Sequence, residues 1–461
     1  MNKTDFIQQL PKILALIVLV VAGIMIWSCA SSRKETSKEG LVHPEWAKNA
    51  VLYEVNVRQY TPEGTFKAFE KHLPRLKSMG VDILWLMPIN PIGIKNRKGT
   101  LGSYYSIKDY LAVNPEFGTI DDLKELVKQA HDLGMHVIID WVANHSSWDN
   151  NLITEHPDWY KQDSNGKIIS PVPDWTDVAG LNYKKKELRE YMTNALIYWV
   201  KEADVDGFRC DVAGMLPVSF WNEAVPKIKK VKHVFMLAEW ETPEMHDTAF
   251  DMTYSWDLYH LMNDIAQGKK TADLLDSTLA SESAKFPADA YRMRFTSNHD
   301  ENSWNGSEIE RMGDASKTFA VLTFTIPGMP LIYSGQESAF NRRLKFFDKD
   351  SIEWDNFPLA VFYSALNKLK KENIALAAGS AGGKMIKVAS DNDKNIYSFL
   401  RMKDNNTVFV ILNLSSSEQK ATLKGNSYTG DYKSLFENKD AHIDGNLSLT
   451  LKPWEFRVYY K

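Results

Sequence analysis

Short apolar runs alternate with longer amphipathic stretches over most of the chain, and four of the runs end in an acid. They are Met135–Asp140 (MHVIID), Val205–Asp211 (VDGFRCD), His233–Glu239 (HVFMLAE) and Ala290–Asp300 (AYRMRFTSNHD). Compact apolar runs bounded by polar clusters predict buried strands, and apolar residues recurring every three to four positions predict helices. On that basis strands are expected over 50–57, 81–87, 135–141, 205–211, 233–239, 249–253, 290–296 and 329–333. Helices are expected over 66–79, 120–133, 186–201, 217–230, 257–283, 310–325 and 359–371, with Thr119 capping the second. Eight alternations predict a (β/α)8 TIM barrel over residues 44–375. An open, doubly wound sheet is the competing architecture, but no glycine-rich phosphate loop follows the first strand. Residues 142–184 lose the rhythm and are rich in Asn, Asp, Pro, Ser and Trp, which predicts a small inserted subdomain after strand 3. Beyond residue 375 short strands take over, at 384–389, 396–401, 407–413 and 456–460, and predict a C-terminal antiparallel β-sandwich domain over 376–461.

The first residues follow a different pattern. Lys3 and Lys12 precede an uncharged run from Ile13 to Trp27, which predicts a secretory leader over residues 1–29. Cys29 directly after the run resembles a bacterial lipoprotein cleavage site, which implies a lipid anchor on Cys29. The protein would then be exported and held at the bacterial cell envelope, on its periplasmic or outer-membrane face. An uncleaved anchor and plain secretion are the alternatives. Residues 30–43 are small, polar and charged, as a tether would be. The second and last cysteine is Cys210, so no disulfide is expected within the mature domain. A net charge of −4 with no block of like charges gives no reason to expect a nucleic-acid partner. The 14 Trp, 19 Tyr and 21 Phe suit sugar faces and protein cores alike, so composition does not choose between them.

In a closed barrel all strand ends open on one face, where the four acids would converge. Converging carboxylates suit acid-assisted cleavage of an acetal. Arg209, two residues before Asp211 on one strand, projects to the same side, and its guanidinium is expected to keep Asp211 ionised. DWVANH (140–145), GFRCD (207–211), LAEW (237–240), FTSNHD (295–300) and GMPLIYSGQE (328–337) resemble, in order, the third-, fourth-, fifth-, seventh- and eighth-strand motifs of the alpha-amylase family of retaining glycoside hydrolases. The resemblance extends over about residues 45–460. It implies that Asp211 is the nucleophile, Glu239 the general acid/base and Asp300 the third carboxylate. It also implies that His145 and His299 hydrogen-bond the sugar, that Tyr105 in GSYYSIKDY stacks on it, that Arg209 lines the same subsite, and that Asp140 supports the site. The implied reaction is hydrolysis of α-1,4-glucosidic bonds in starch or maltodextrins with retention, through a covalent glycosyl-enzyme. Transglycosylation, isomerisation or branching on the same site, and a non-catalytic role in binding glycans or a membrane partner, are the alternatives.

Singly, each of these residues has an ordinary reading. A strand-end Asp caps the next helix, an Arg pairs with an acid, a His is a satisfied structural group and a Tyr is core. The catalytic reading rests on the set. Trp148, Trp159, Trp175 and Trp304 fall in loops on the expected active face, as stacking platforms or as pins for long loops. Two departures from the family pattern bear on metal. The family's shared calcium site draws on the Asn of the third-strand motif, here Asn144, but its Asp position is Gly180 and its fourth-strand Lys-His is Gly214-Met215. No cofactor is expected to be required; calcium, with Asn144 as a candidate ligand, stays an open alternative on a site altered at Gly180 and Met215.

Overall fold

The computed structural model describes residues 41–461 apart from Asp355. The expected leader, Cys29 and all but the last three residues of the expected tether lie outside the described residues. Eight strands follow the predicted order: β1 Leu52–Val55, β2 Ile83–Leu86, β3 His136–Trp141, β4 Gly207–Cys210, β5 Phe235–Ala238, β6 Met252–Tyr254, β7 Tyr291–Arg294 and β8 Met329–Tyr333. Each pairs in parallel with its sequence neighbours, and β8 returns to β1 through Leu52↔Leu331 and Tyr53↔Ile332, so the sheet closes. Closure rules out the open sheet.

Strand parity then sorts the side chains. Leu52, Ile83, Trp85, Ile138, Phe235, Leu237, Met252 and Met293 fill the barrel interior. Their neighbours Tyr53, Val55, Val137, Ile139, Phe208, Cys210, Met236 and Ala238 pack outward beneath the helices. Glu54, Asp140 and Glu239 therefore fall on the interior register, two residues beyond Leu52, Ile138 and Leu237, while on β4 Arg209 and Asp211 follow Gly207 on that register. Cys210 is buried in the wall and takes no part in the site. Close approach of β4 to β5 depends on Gly207, where a Cβ would lie 1.9 Å from the Phe235 carbonyl oxygen.

Three expected helices are each broken in two. The 257–283 stretch forms Trp256–Ala266 and Leu274–Lys285, with Gly268 at φ 69° between them. The 310–325 stretch forms Glu308–Met312 and Ser316–Thr325 around Gly313 at φ 54°. The 66–79 stretch forms Phe66–Glu70 and Leu73–Met79. Left-handed glycine ends a helix, which explains the first two breaks. After β3, His145–Ser147 and Val178–Gly180 make an antiparallel pair in register His145↔Gly180. At the other end, the last tether residues are already part of the fold. His43 stacks on Tyr291 at 4.2 Å and hydrogen-bonds Asp251 at 2.9 Å.

The C-terminal region holds a six-stranded antiparallel sheet and a two-stranded one. Its strands are β9 Lys384–Lys387, β10 Ile396–Lys403, β11 Asn406–Asn413, β12 Gln419–Thr422, β13 Gly430–Ser434, β14 Asp440–Ile443, β15 Ser448–Leu451 and β16 Phe456–Tyr460. The pairing order is β9-β10-β11-β16-β13-β14, with β12 against β15. Central strands β10 and β11 are buried on both faces. Ile396, Leu400, Phe409 and Ile411 face the region's own core. Tyr397, Phe399, Val408 and Val410 join the cluster that continues under the barrel helices. Strands β12 to β15 were not expected from sequence, because their polar, exposed alternate residues dilute the apolar signal.

Candidate active site

One guanidinium organises the mouth of the barrel. Arg209, fully buried, puts Nη1 2.9 Å from Asp140 Oδ1 and 3.2 Å from Asp211 Oδ1, and Nη2 3.1 Å from Glu239 Oε2. The two carboxylates from the ends of β4 and β5 thus sit on the two arms of one side chain. Tyr254 and Trp85 fix that side chain. Arg209 Nε donates to Tyr254 Oη at 3.3 Å, and the guanidinium lies 5.0 Å from the Trp85 ring centroid. Asp140 also accepts from Trp85 Nε1 at 3.3 Å and from Tyr105 Oη at 3.1 Å. It is thus held by three donors and fully buried.

From Tyr105 the network continues to β7 and β1. Tyr105 Oη lies 2.7 Å from His299 Nε2, with the rings stacked at 5.5 Å. His299 Nδ1 pairs with buried Glu54 of β1, and Nε2 lies 3.3 Å from Asp300 Oδ2. Asp300 keeps 35% of its side chain exposed, against 10% for Asp211, so it faces the open cleft. His145 is buried at the start of the inserted pair and is tied to the Tyr105 backbone. The structure therefore brings Asp211, Glu239, Asp300, Arg209, His299, Tyr105 and Asp140 into one connected set, with His145 at its edge. Glu54, Trp85 and Tyr254 were missed in the sequence. An acid inside the apolar run VLYEV was the available signal for Glu54.

Val212, directly after Asp211, is a β-branched residue at φ 36°, ψ 47°. Such a residue in the left-handed region costs roughly 1–3 kcal/mol and persists only where the surrounding structure holds it. Here it aims the Val212 N–H at Glu239 Oε2, 2.7 Å away.

Burial dominates the electrostatics. Asp211 was expected to be kept ionised by Arg209. Instead burial, then the charge of Glu239, push its carboxyl well above the ordinary range, with Arg209 opposing both. Burial likewise outweighs Arg209 at Asp140 and raises it to about 6. Burial would lower His299, but the charges of Asp300 and Glu54 overcome it and hold the imidazole at about 9. His145 goes the other way, lowered to about 3 by burial and then by the charge of Lys161.

The four loop tryptophans separate. Trp159 is buried and stacks on His156 at 3.9 Å, and Trp148 donates to the Thr176 carbonyl at 2.9 Å. Trp175 lies 5.4 Å from the His145 ring. Trp304 is 51% exposed and leans on Phe346 at 5.0 Å, which itself stacks beside Tyr105 at 6.2 Å.

At the position of the family's calcium, Asn144 is buried with its amide nitrogen 3.2 Å from His145 Nδ1. Gly180 offers no carboxylate, and the Lys161 side chain lies over it, 3.1 Å from where a Cβ would stand. A cationic side chain beside neutral donors does not fit a dication. Among the described residues no group of three or more His, Cys, Asp or Glu is arranged to hold a metal.

Residues 30–175 and 172–357 match the family described as Alpha amylase, catalytic domain. Residues 386–458 match the Maltogenic Amylase, C-terminal domain. Alpha-amylase MalA of Haloarcula japonica is 29% identical over 423 residues, which are 87% of this chain and 61% of that protein, so the chain spans less than two thirds of that relative. A cyclomaltodextrinase from a Bacillus species is 26% identical over 80% of this chain and 73% of that protein. Among solved structures, the noncanonic maltogenic alpha-amylase AmyB from Thermotoga neapolitana superposes with a TM-score of 0.82 at 32% identity, covering 90% of this chain and 99% of that one. An alpha-amylase from Lactobacillus plantarum superposes at 0.80 with 33% identity and the same coverage of each. A catalytic-domain match over more than half of the chain, on a barrel that ends in these carboxylates, makes this chain a member of the alpha-amylase family.

Proposed function

We propose that the protein hydrolyses α-1,4-glucosidic bonds of starch or maltodextrins with retention of configuration. The observation that carries the reading is the pairing of Asp211 and Glu239 on the two arms of Arg209. A double displacement needs two carboxyl groups close together, one to attack and one to donate a proton. Asp211 attacks the anomeric carbon while Glu239 protonates the departing glycosidic oxygen. The Val212 N–H occupies Glu239 Oε2, which leaves Oε1 to carry that proton. Water, deprotonated by Glu239, then opens the ester and frees Asp211. Arg209 stays between the two groups and stabilises whichever is anionic at each stage. Tyr105 and His299 hold the retained sugar, and Asp300, open to the cleft, takes its hydroxyls. The names of the relatives, alpha-amylase and cyclomaltodextrinase, support an α-glucan substrate. The run of rings from Tyr105 through Phe346 to exposed Trp304 supports a chain of sugars rather than a lone disaccharide.

We further place the enzyme at the bacterial cell envelope through a lipid on Cys29, on the strength of Lys3, Lys12 and the uncharged run before Cys29. Palmitate labelling of the full chain and of Cys29→Ser tests this, and equal labelling of both would refute it. For the reaction, maltoheptaose digested by residues 30–461 is followed by proton NMR. Newly released α-anomers support retention, and β-anomers would overturn it.

A further inference from the structure

Glu54 sits within β1, in register with Trp85 of β2 on one side and Tyr333 of β8 on the other, and is fully buried. A carboxylate so placed has to be paired. Among the described residues its one hydrogen-bond donor is His299, whose Nδ1 lies 2.5 Å from Oε1, while Oε2 meets none. The Trp85 ring stands edge-on to the imidazole at 5.9 Å. The second ring nitrogen, Nε2, lies 2.7 Å from Tyr105 Oη and 3.3 Å from Asp300 Oδ2. Tyr105 Oη has a further neighbour, Asp140 Oδ2 at 3.1 Å, and one proton to give. Burial raises that hydroxyl well above its ordinary value, so the proton stays on it. The charge of His299 therefore decides where it points. With both ring nitrogens protonated, Nε2 donates to Oη and the hydroxyl donates to Asp140. With Nδ1 alone protonated, Nε2 accepts the hydroxyl proton and Asp140 loses a donor. The third form, bare at Nδ1, sets a lone pair against the Glu54 carboxylate and is excluded. Asp140 shares Arg209 Nη1 with Asp211, at 2.9 and 3.2 Å. An Asp140 short of a donor draws that arm away from Asp211.

We propose that Glu54 is a positioning residue for glycoside cleavage, which as the acceptor of His299 Nδ1–H keeps the imidazole cationic and so turns the Tyr105 hydroxyl proton toward Asp140. The inference rests on the glycosyl-enzyme reading above and adds the group that sets the direction of its hydrogen bonds. Being fully buried, Glu54 acts through His299 rather than on the sugar. The groups around the ring can be set against each other. Burial disfavours the cation, Asp300 and then Glu54 favour it, and Arg209 from β4 opposes them. Asp140 from β3 is the remaining acid in reach, and Tyr105 the remaining titratable neighbour. Asp300 does not replace Glu54, because it lies against Nε2 and leaves the proton on Nδ1 unclaimed. The pairing is mutual, since burial raises the Glu54 carboxyl while the charge and hydrogen bond of His299 lower it. As pH rises and the imidazole loses its second proton, the chain of hydrogen bonds reverses at Tyr105.

The test is Glu54→Gln, which keeps the shape, removes the charge and offers Nδ1 an acceptor or a donor alike. The pH dependence of kcat and KM on maltoheptaose is measured beside the ring nitrogen-15 shifts of histidine-labelled protein. His299 is assigned by the signals lost in His299→Asn. In the wild type both ring nitrogens are expected to stay protonated up to about pH 9, where the alkaline limb of kcat should lie. In Glu54→Gln the limb and the ring titration should both fall by about one pH unit, lowering kcat at pH 9 about fivefold with KM within about twofold. Thermal melts establish that the variant is folded. A limb and a ring titration that stay in place in folded Glu54→Gln would make Glu54 a packing residue and overturn the proposal. So would a wild-type His299 that is neutral at pH 7, a measurement that decides the matter even where Glu54→Gln does not fold. Absence of turnover in the wild type would instead strike the glycosyl-enzyme reading, while the histidine signals still test Glu54.

Discussion

Asp206 and Asp211 stand at the two ends of β4, five residues apart, and are treated in opposite ways. At the barrel floor, Asp206 accepts from the Val137 N–H at 2.8 Å and pairs with His131 at 2.7 Å and Lys232 at 2.9 Å. Burial would raise it, but His131, His136 and the Val137 N–H overcome burial and hold it far below its ordinary value. At the mouth, Asp211 shares one guanidinium with two other acids, and burial beside Glu239 holds it well above. The same residue type on the same strand is a fastener where donors outnumber acids and, in the proposed mechanism, the nucleophile where acids outnumber donors. Substitution at the floor should therefore cost stability, and at the mouth activity.

The largest expected effect breaks the comparison directly. Asp211→Asn should lower kcat by about 10⁴-fold while the melting temperature holds or rises, because a buried acid beside Glu239 is relieved. Asp206→Asn should keep kcat within about threefold and cost about 2 kcal/mol of stability through lost charged hydrogen bonds. Exchanged outcomes in kinetics and melts would end the distinction.

Titration sharpens it. Because Asp211 must be ionised to attack and is raised, the acid limb of the rate profile should lie well above the ordinary Asp value of about 3.9. Asp206 is depressed, so its contribution to folding is complete above about pH 4 and fades as pH falls further. His299 is raised to about 9, so its contribution is complete below about pH 6.5 and is lost as pH climbs through 9, with activity declining over the same window. Parallel pH profiles of kcat and melting temperature check all three, and an acid limb near 4 would remove the contrast.

Smaller effects are expected away from the charges. Trp304→Ala should raise KM for maltoheptaose about fivefold with less change in kcat, since an exposed platform adds binding and not chemistry. A fall in kcat alone would refute that. Smallest of all, EDTA should move the melting temperature by less than about 2 °C, since the Asn144–Gly180 corner already holds the Lys161 side chain. A larger drop, restored by calcium, would contradict the donor set described there.

The acids at the mouth were visible in the sequence, because strand parity and an acid at the end of an apolar run are both local signals, whereas Asp206 at the floor was not singled out. Asp140, Asp211, Glu239 and Asp300 were legible for that reason, and Arg209 through its two-residue spacing. Glu54, Trp85 and Tyr254 were not, because their role depends on which strands become neighbours when the barrel closes. Gly214 read as a loss, and the Trp240 indole that fills it came into view through contact across two strands. The upward displacement of Asp211 was also hidden, since it follows from burial and from how near Glu239 comes. In the C-terminal region β10, β11 and β16 were readable as dense apolar runs, whereas β12 to β15 alternate with exposed polar residues and were lost against their turns.

Val212 carries a consequence for laboratory evolution. Its left-handed backbone is tolerated at a cost that glycine would remove, so a library sorted on heat resistance should return Val212→Gly early. The same change would slacken the Val212 main-chain donor on Glu239. Thermal selection applied without an activity screen would therefore drift toward sturdier and slower enzymes from this residue outward.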